Sequence, residues 1–125
     1  MNYAQPSDTY FDQRRKKITK TKTLSAKDLE TRTWKLASKI NVKPSKVVIK
    51  KLKDRWGSST KHGVINLNSA LLEAPLKVID YVVLHELCHI KIREHSYRFW
   101  SLLRKFMPDY QRQKKWLELH GKMIL

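Results

Sequence analysis

Five consecutive residues, His85-Glu86-Leu87-Cys88-His89, offer the clearest chemistry in this chain. Residues four apart on an α-helix lie one turn above another on one face. His85 and His89 can therefore aim imidazole nitrogens at a single ion. Glu86 stands about 100° round the same helix, near enough to hold a metal-bound water without filling a ligand position. That is the placement a general base needs. A catalytic zinc takes three protein ligands and keeps a fourth position for water. His95, just past the helix end, can supply the third. Glu94 is its rival, or an acceptor for an imidazole N–H. His62, in a polar loop, and His120, at a helix end, read as exposed histidines rather than ligands.

A shuffled chain of this composition would contain HExxH only about one per cent of the time. The bland alternative is an amphipathic helix with two surface histidines, and it fits poorly. Ile79, Val83, Leu87 and Ile90 form one broad apolar face, and Tyr81, Leu84 and Cys88 widen it. A helix apolar nearly all round is buried at the centre of a fold. Histidines and a carboxylate inside it need partners, because a buried unpaired charge is costly. Cys88 points away from the metal face and reads as a small buried hydrophobe.

Other elements must hold this helix in place. Ser25 with Asp28 forms the start signal of a first helix, whose buried face is Leu29, Thr33, Leu36, Ala37 and Ile40, flanked by Trp34 and ended by Asn41 and Pro44. Lys46 to Leu52 alternates around Val47, Val48 and Ile49 and predicts a strand. The polar stretch 54–63 predicts a loop, and Val64-Ile65-Asn66-Leu67 a second strand antiparallel to the first. Lysines along the first strand suit a protected sheet edge, or an edge that takes an extended peptide by strand addition. Trp56 reads as a core plug. Arg55 is left between stacking on Trp56 and meeting an anionic substrate group. Pro75 suits the first turn of the metal helix, placed over about 75–91. Ser96 caps a following helix through Phe106, ended by Pro108. A last helix runs from about Asp109 to His120 with Gly121 as its stop.

Composition sets the outer bounds. The 125 residues make one domain, and 41% hydrophobic residues supply a modest core. No apolar run reaches the ~20 residues of a membrane span, and no signal peptide opens the chain. With one cysteine no internal disulfide can form, which agrees with a cytoplasmic location. The formal net charge of +16 would attract polyanions such as nucleic acid or a nucleotide, or simply keep the surface solvated. Residues 1–23, with the cluster Arg14-Arg15-Lys16-Lys17, show no sustained period and read as a disordered basic arm; 24–125 read as the domain.

Arg55-Trp56-Gly57-Ser58, Ile65-Asn66-Leu67-Asn68, Ala74-Pro75, Ile79 through His89, His95-Ser96, Phe99-Trp100 and Met107-Pro108-Asp109-Tyr110 occur in an order that resembles the YgjP-like metallopeptidase family. That family is zincin-like and distantly related to the SprT and WLM proteases. The resemblance covers about residues 46–121. It implies zinc on His85, His89 and His95, with Glu86 as the catalytic carboxylate. It also associates the family with hydrolysis of nucleoside triphosphates such as UTP. This chain departs in having a short basic arm and one helix where members have a longer, β-rich N-terminal portion. Ser59 stands where Cys is common, and Glu94 where Asn is common.

The expectation is thus an α+β, zincin-like domain, with a short antiparallel sheet on a central HExxH helix and further helices around it. Its function would be zinc-dependent hydrolysis, of peptides first. A nucleotide pyrophosphohydrolase, or a basic nucleic-acid-binding module with a structural zinc, are the alternatives. Tyr97 and Arg98 are candidates for oxyanion stabilisation by nearness in sequence.

Overall fold

A computed structural model describes residues 24–124. The arm expected at 1–23 lies outside the described residues. Among them the chain forms α1 (Ala26–Lys39), β1 (Lys46–Lys50), β2 (Gly57–Ser59), β3 (Val64–Asn68), a 3-10 turn (Ser69–Glu73), α2 (Leu76–Lys91), α3 (Tyr97–Phe106) and α4 (Tyr110–Ile124).

The first helix starts as its sequence dictates. The Ser25 hydroxyl accepts from Asp28 N at 3.0 Å, and the Asp28 carboxylate accepts from Ser25 N at 3.1 Å. Two otherwise orphaned N–H groups are satisfied reciprocally. Leu29, Thr33 and Ala37 are buried on one face. Thr33 tolerates burial by donating its hydroxyl to Leu29 O at 2.8 Å. Asn41 then turns the chain with φ 63°, a left-handed conformation that Asn tolerates.

The sheet corrects the sequence-based expectation. Its order is β1-β3-β2, and β1 pairs with β3 in parallel, not antiparallel, with Val47 opposite Ile65 and Ile49 opposite Leu67. The segment expected to be only a loop contains β2, which forms a tight hairpin with β3 and takes the antiparallel place beside it. Gly63 closes that hairpin at φ 87°, where a side chain would be strained. Because β2 occupies one side of β3, β1 is left to pair on the other side. The chain reverses between β1 and β2 and again between β2 and β3, so β3 runs in the same direction as β1.

Asn68 anchors the crossing between the two edge strands. It is 1% exposed, its side-chain amide donates to Leu52 O at 3.0 Å and Arg55 O at 2.8 Å, and its Oδ1 accepts from Ala70 N at 2.9 Å. Replacing it with Leu strands three backbone groups. We expect Asn68→Leu to lower the unfolding free energy by about 3 kcal/mol. Urea unfolding of the metal-free protein measures this, and a loss well under about 1 kcal/mol would mean that solvent takes over these bonds.

The second helix is the centre of the core, with Val78, Ile79, Tyr81 to Leu84 and Glu86 to His89 all buried. Pro75 sits one position before it, as the N-cap. Arg32 on α1 clamps Asp80 on α2 through two bonds, Nε to Oδ1 at 2.6 Å and Nη2 to Oδ2 at 2.8 Å, a fork geometry that fixes the helices' register. Lys77 reaches Asp109 at 2.8 Å and ties α2 to the entry of α4. Gly121 does not stop the last helix, which continues to Ile124. A Cβ built on Gly121 would lie 3.5 Å from Trp56 Nε1, so the half-buried indole rests on this helix and against the core, as a plug should. No helix among the described residues is long and apolar enough to cross a membrane.

Candidate metal centre

The helical spacing does what it should: His85 and His89 project from one side of α2, and the turn after the helix swings His95 against them. His95 Nε2 lies 3.1 Å from His85 Nε2 and 2.9 Å from His89 Nε2. One nitrogen from each ring falls within 4.8 Å of the others. The remaining nitrogens are engaged. His89 donates its Nδ1–H to Ile92 O at 3.0 Å, which leaves Nε2 as a lone pair facing the cluster. His85 Nδ1 meets the Tyr81 hydroxyl at 3.3 Å.

Three lone pairs pointed at one spot repel each other unless a proton or a cation sits among them. Protonation is disfavoured at two of the rings. Burial, reinforced by His89, His95 and Lys114, holds the His85 imidazole down to about 3. Burial also lowers His89, against the pull of its bond to Ile92 O. Neutral imidazoles are the form that ligates metal. The donor set therefore fits one divalent transition metal. Among the described residues the cluster offers three nitrogen donors and an exposed flank at His95, the donor number of a site with an open position.

Glu86 lies beside the cluster, 9% exposed, beneath β2. A Cβ on Gly57 would come within 3.1 Å of Glu86 Cγ and 3.1 Å of Asn66 O. Only glycine lets the strand lie this close to the carboxylate. Burial pushes the Glu86 carboxyl up to about 7, while Arg93 and then Arg55 pull it back. A carboxyl poised there suits proton transfer near neutral pH.

Nothing in the sequence reading tied Phe99, Trp100 or Tyr110 to the site. They line the metal centre: Phe99 stacks on His89 at 4.4 Å, Trp100 on His95 at 5.6 Å, and Tyr110 on Trp100 at 5.2 Å. Rings fixed by stacking keep the imidazoles oriented before any ion arrives. The close spacing of Phe99 and Trp100 after His95 was the available signal. Arg93 was also overlooked. Its guanidinium donates to Ser59 O at 2.9 Å, Ser59 Oγ at 3.2 Å and His89 O at 3.2 Å, pinning β2 to the end of α2.

The other candidates fall elsewhere. Glu94 is exposed and outside the cluster. His62 is exposed in the β2–β3 turn. His120 stacks on Trp116 at 4.3 Å and donates to its carbonyl. Tyr97 is 79% exposed. Cys88 is buried, its thiol pushed up to about 12 by burial, and is unreactive at neutral pH.

Residues 2–120 match the family described as YgjP-like, metallopeptidase domain. The match thus extends well upstream of the motifs at 46–121. Among solved structures, the metallopeptidase zymogen abylysin of Pyrococcus abyssi is similar, with a TM-score of 0.65 and 23% identity over 75% of this chain and 93% of that one. The zymogen jannalysin of Methanocaldococcus jannaschii gives a TM-score of 0.65 and 24% identity over 78% and 98%. At these identities the likeness establishes a shared fold. No curated protein matches.

Proposed function

The chain belongs to the YgjP-like metallopeptidase domain family, and we propose that it is a zinc-dependent peptidase in which His85, His89 and His95 hold the ion and Glu86 is the general base. The observation that carries this reading is the convergence of three Nε2 atoms beside a buried carboxyl roofed by Gly57. Zinc held there supplies Lewis acidity and makes water a usable nucleophile near neutral pH. Glu86 accepts a proton from the attacking water at a carboxylate oxygen and returns it to the leaving amine. Phe99, Trp100 and Tyr81 keep the imidazoles oriented and exclude bulk water from their buried side.

The strand that serves a peptide is β2. Trp56 O and Thr60 N bond to β3, so the backbone groups of Gly57 and Ser59 turn to the free edge. Arg93 already occupies Ser59 O. An extended substrate pairing there by strand addition would lie about 4.8 Å to the side of β2, alongside the strand that covers Glu86. The lysine-bearing edge of β1, the edge considered from sequence, lies on the other side of the sheet.

The test is cleavage of a proteome-derived peptide library by zinc-loaded protein. Cleavage should stop with a chelator and return with zinc. No cleaved bond in any peptide, with one zinc bound per chain, would overturn the reading.

A further inference from the structure

We propose that Arg93 selects substrates: the free edge of its guanidinium binds a carboxylate that the peptide carries at the Ser59 end of β2. This rests on the peptidase reading above. A planar guanidinium has five N–H groups in a fixed fork. Arg93 spends three of them, Nη2 donating to Ser59 O at 2.9 Å and Nη1 to Ser59 Oγ and His89 O, both at 3.2 Å. The two acceptors on Ser59 are met end-on by the two terminal nitrogens together. What remains is Nε–H and the second N–H of Nη2, which point side by side from one edge of the plane. Nη1 faces the His89 carbonyl on α2, so this free edge, on the opposite flank, faces away from that helix. Arg93 is exposed, and among the described residues it has no ion-pair partner.

The molecule already shows what such an edge binds. In Arg32 the same two nitrogens, Nε and Nη2, grip the oxygens of Asp80 at 2.6 Å and 2.8 Å. Arg93 offers the same fork with no protein carboxylate in it. Its three bonds hold the group in place, so little side-chain freedom is left to lose on binding. The position suits a peptide on the β2 edge. Gly57 and Ser59 turn their backbone groups to that edge, and Arg93 has taken Ser59 O. A substrate strand can exchange both backbone bonds with Gly57, and meets the guanidinium about 6.7 Å further along, two residues on. A side chain level with Ser59 points to the same face as Ser59 Oγ, which is the face Arg93 approaches. An acidic side chain reaches the fork whichever way the peptide runs. A free C-terminus reaches it only in a peptide parallel to β2.

The experiment compares three matched peptides built on a site cut in the peptide library. One carries Glu two residues from the cut, on each side in turn, with an amidated end. The second has Gln there, and the third is the Gln peptide ended at that residue with a free carboxylate. Zinc-loaded full chain gives kcat/KM, and calorimetry with zinc-loaded Glu86→Gln gives binding without turnover. A carboxylate peptide should exceed neutral Gln by about 10-fold in both measures. The ratio should fall in Arg93→Lys, which keeps the charge and loses the fork, and reach about one in Arg93→Gln. Charged and neutral peptides share every other contact, so a general loosening of β2 in these variants leaves the ratio alone. Which carboxylate peptide is preferred identifies the source. Equal treatment of the three peptides by the wild type overturns the proposal whether or not any variant folds. An unchanged ratio in Arg93→Gln does so too, as does UTP binding that depends on Arg93 without any carboxylate preference. If no peptide is cleaved, the peptidase reading falls, while binding of the library with its carboxylates free or methyl-esterified still decides the role of Arg93.

Discussion

Glu86→Gln is expected to keep one metal ion per chain and to lose about 10²- to 10⁴-fold in kcat, the usual contribution of a positioned general base. That corresponds to about 3–5 kcal/mol of barrier. The amide fits beneath Gly57 because it has the shape of the carboxylate, so the loss reports chemistry rather than packing. Peptide turnover with metal analysis on the same sample measures both, and full turnover in the variant would remove Glu86 from its role. The same substitution should stabilise the metal-free protein. The folded carboxyl is raised by burial to about 7 from an ordinary 4.5. The native state therefore holds a proton that the unfolded chain has released, and its stability drops as pH rises across that window. Gln avoids this cost. Metal-free Glu86→Gln should exceed the wild type by about 3 kcal/mol above pH 7, with the difference vanishing below about pH 4.5. Urea unfolding at both ends of the window decides it. The histidines titrate in both proteins and cancel in the difference.

His95→Ala should weaken zinc binding by more than about 100-fold, beyond what losing an outer hydrogen bond to a ligand costs. His95 Nε2 is the atom within 3.1 Å of both other ring nitrogens, so its removal leaves two donors on one helix face. Glu94→Gln should leave affinity almost unchanged, since Glu94 stands outside the cluster. Competition against a chromophoric chelator measures both. The opposite ranking would make the neighbouring carboxylate the third ligand.

The sequence alone was enough for features that depend on near neighbours. Capping by Ser25 and Asp28, burial of α2 on almost every side, and the pairing of His85 with His89 all follow from helical spacing, which needs only four or five residues of context. The choice between His95 and Glu94 was not of this kind, because both follow the helix end and only the path of the turn separates them. The Gly57-Ser58-Ser59 strand was illegible for another reason. It is short and has no apolar alternation, and it exists because β3 offers it a partner. Without β2 the parallel pairing of β1 with β3 could not be deduced either. The roof over Glu86, the Arg32–Asp80 clamp and the ring wall of Phe99, Trp100 and Tyr110 join residues far apart in the chain. Local propensity specifies which side chains share a helix face, whereas long-range packing specifies which faces meet. His85 and His89 belong to the first category, whereas His95 and the strand and rings around the three imidazoles belong to the second.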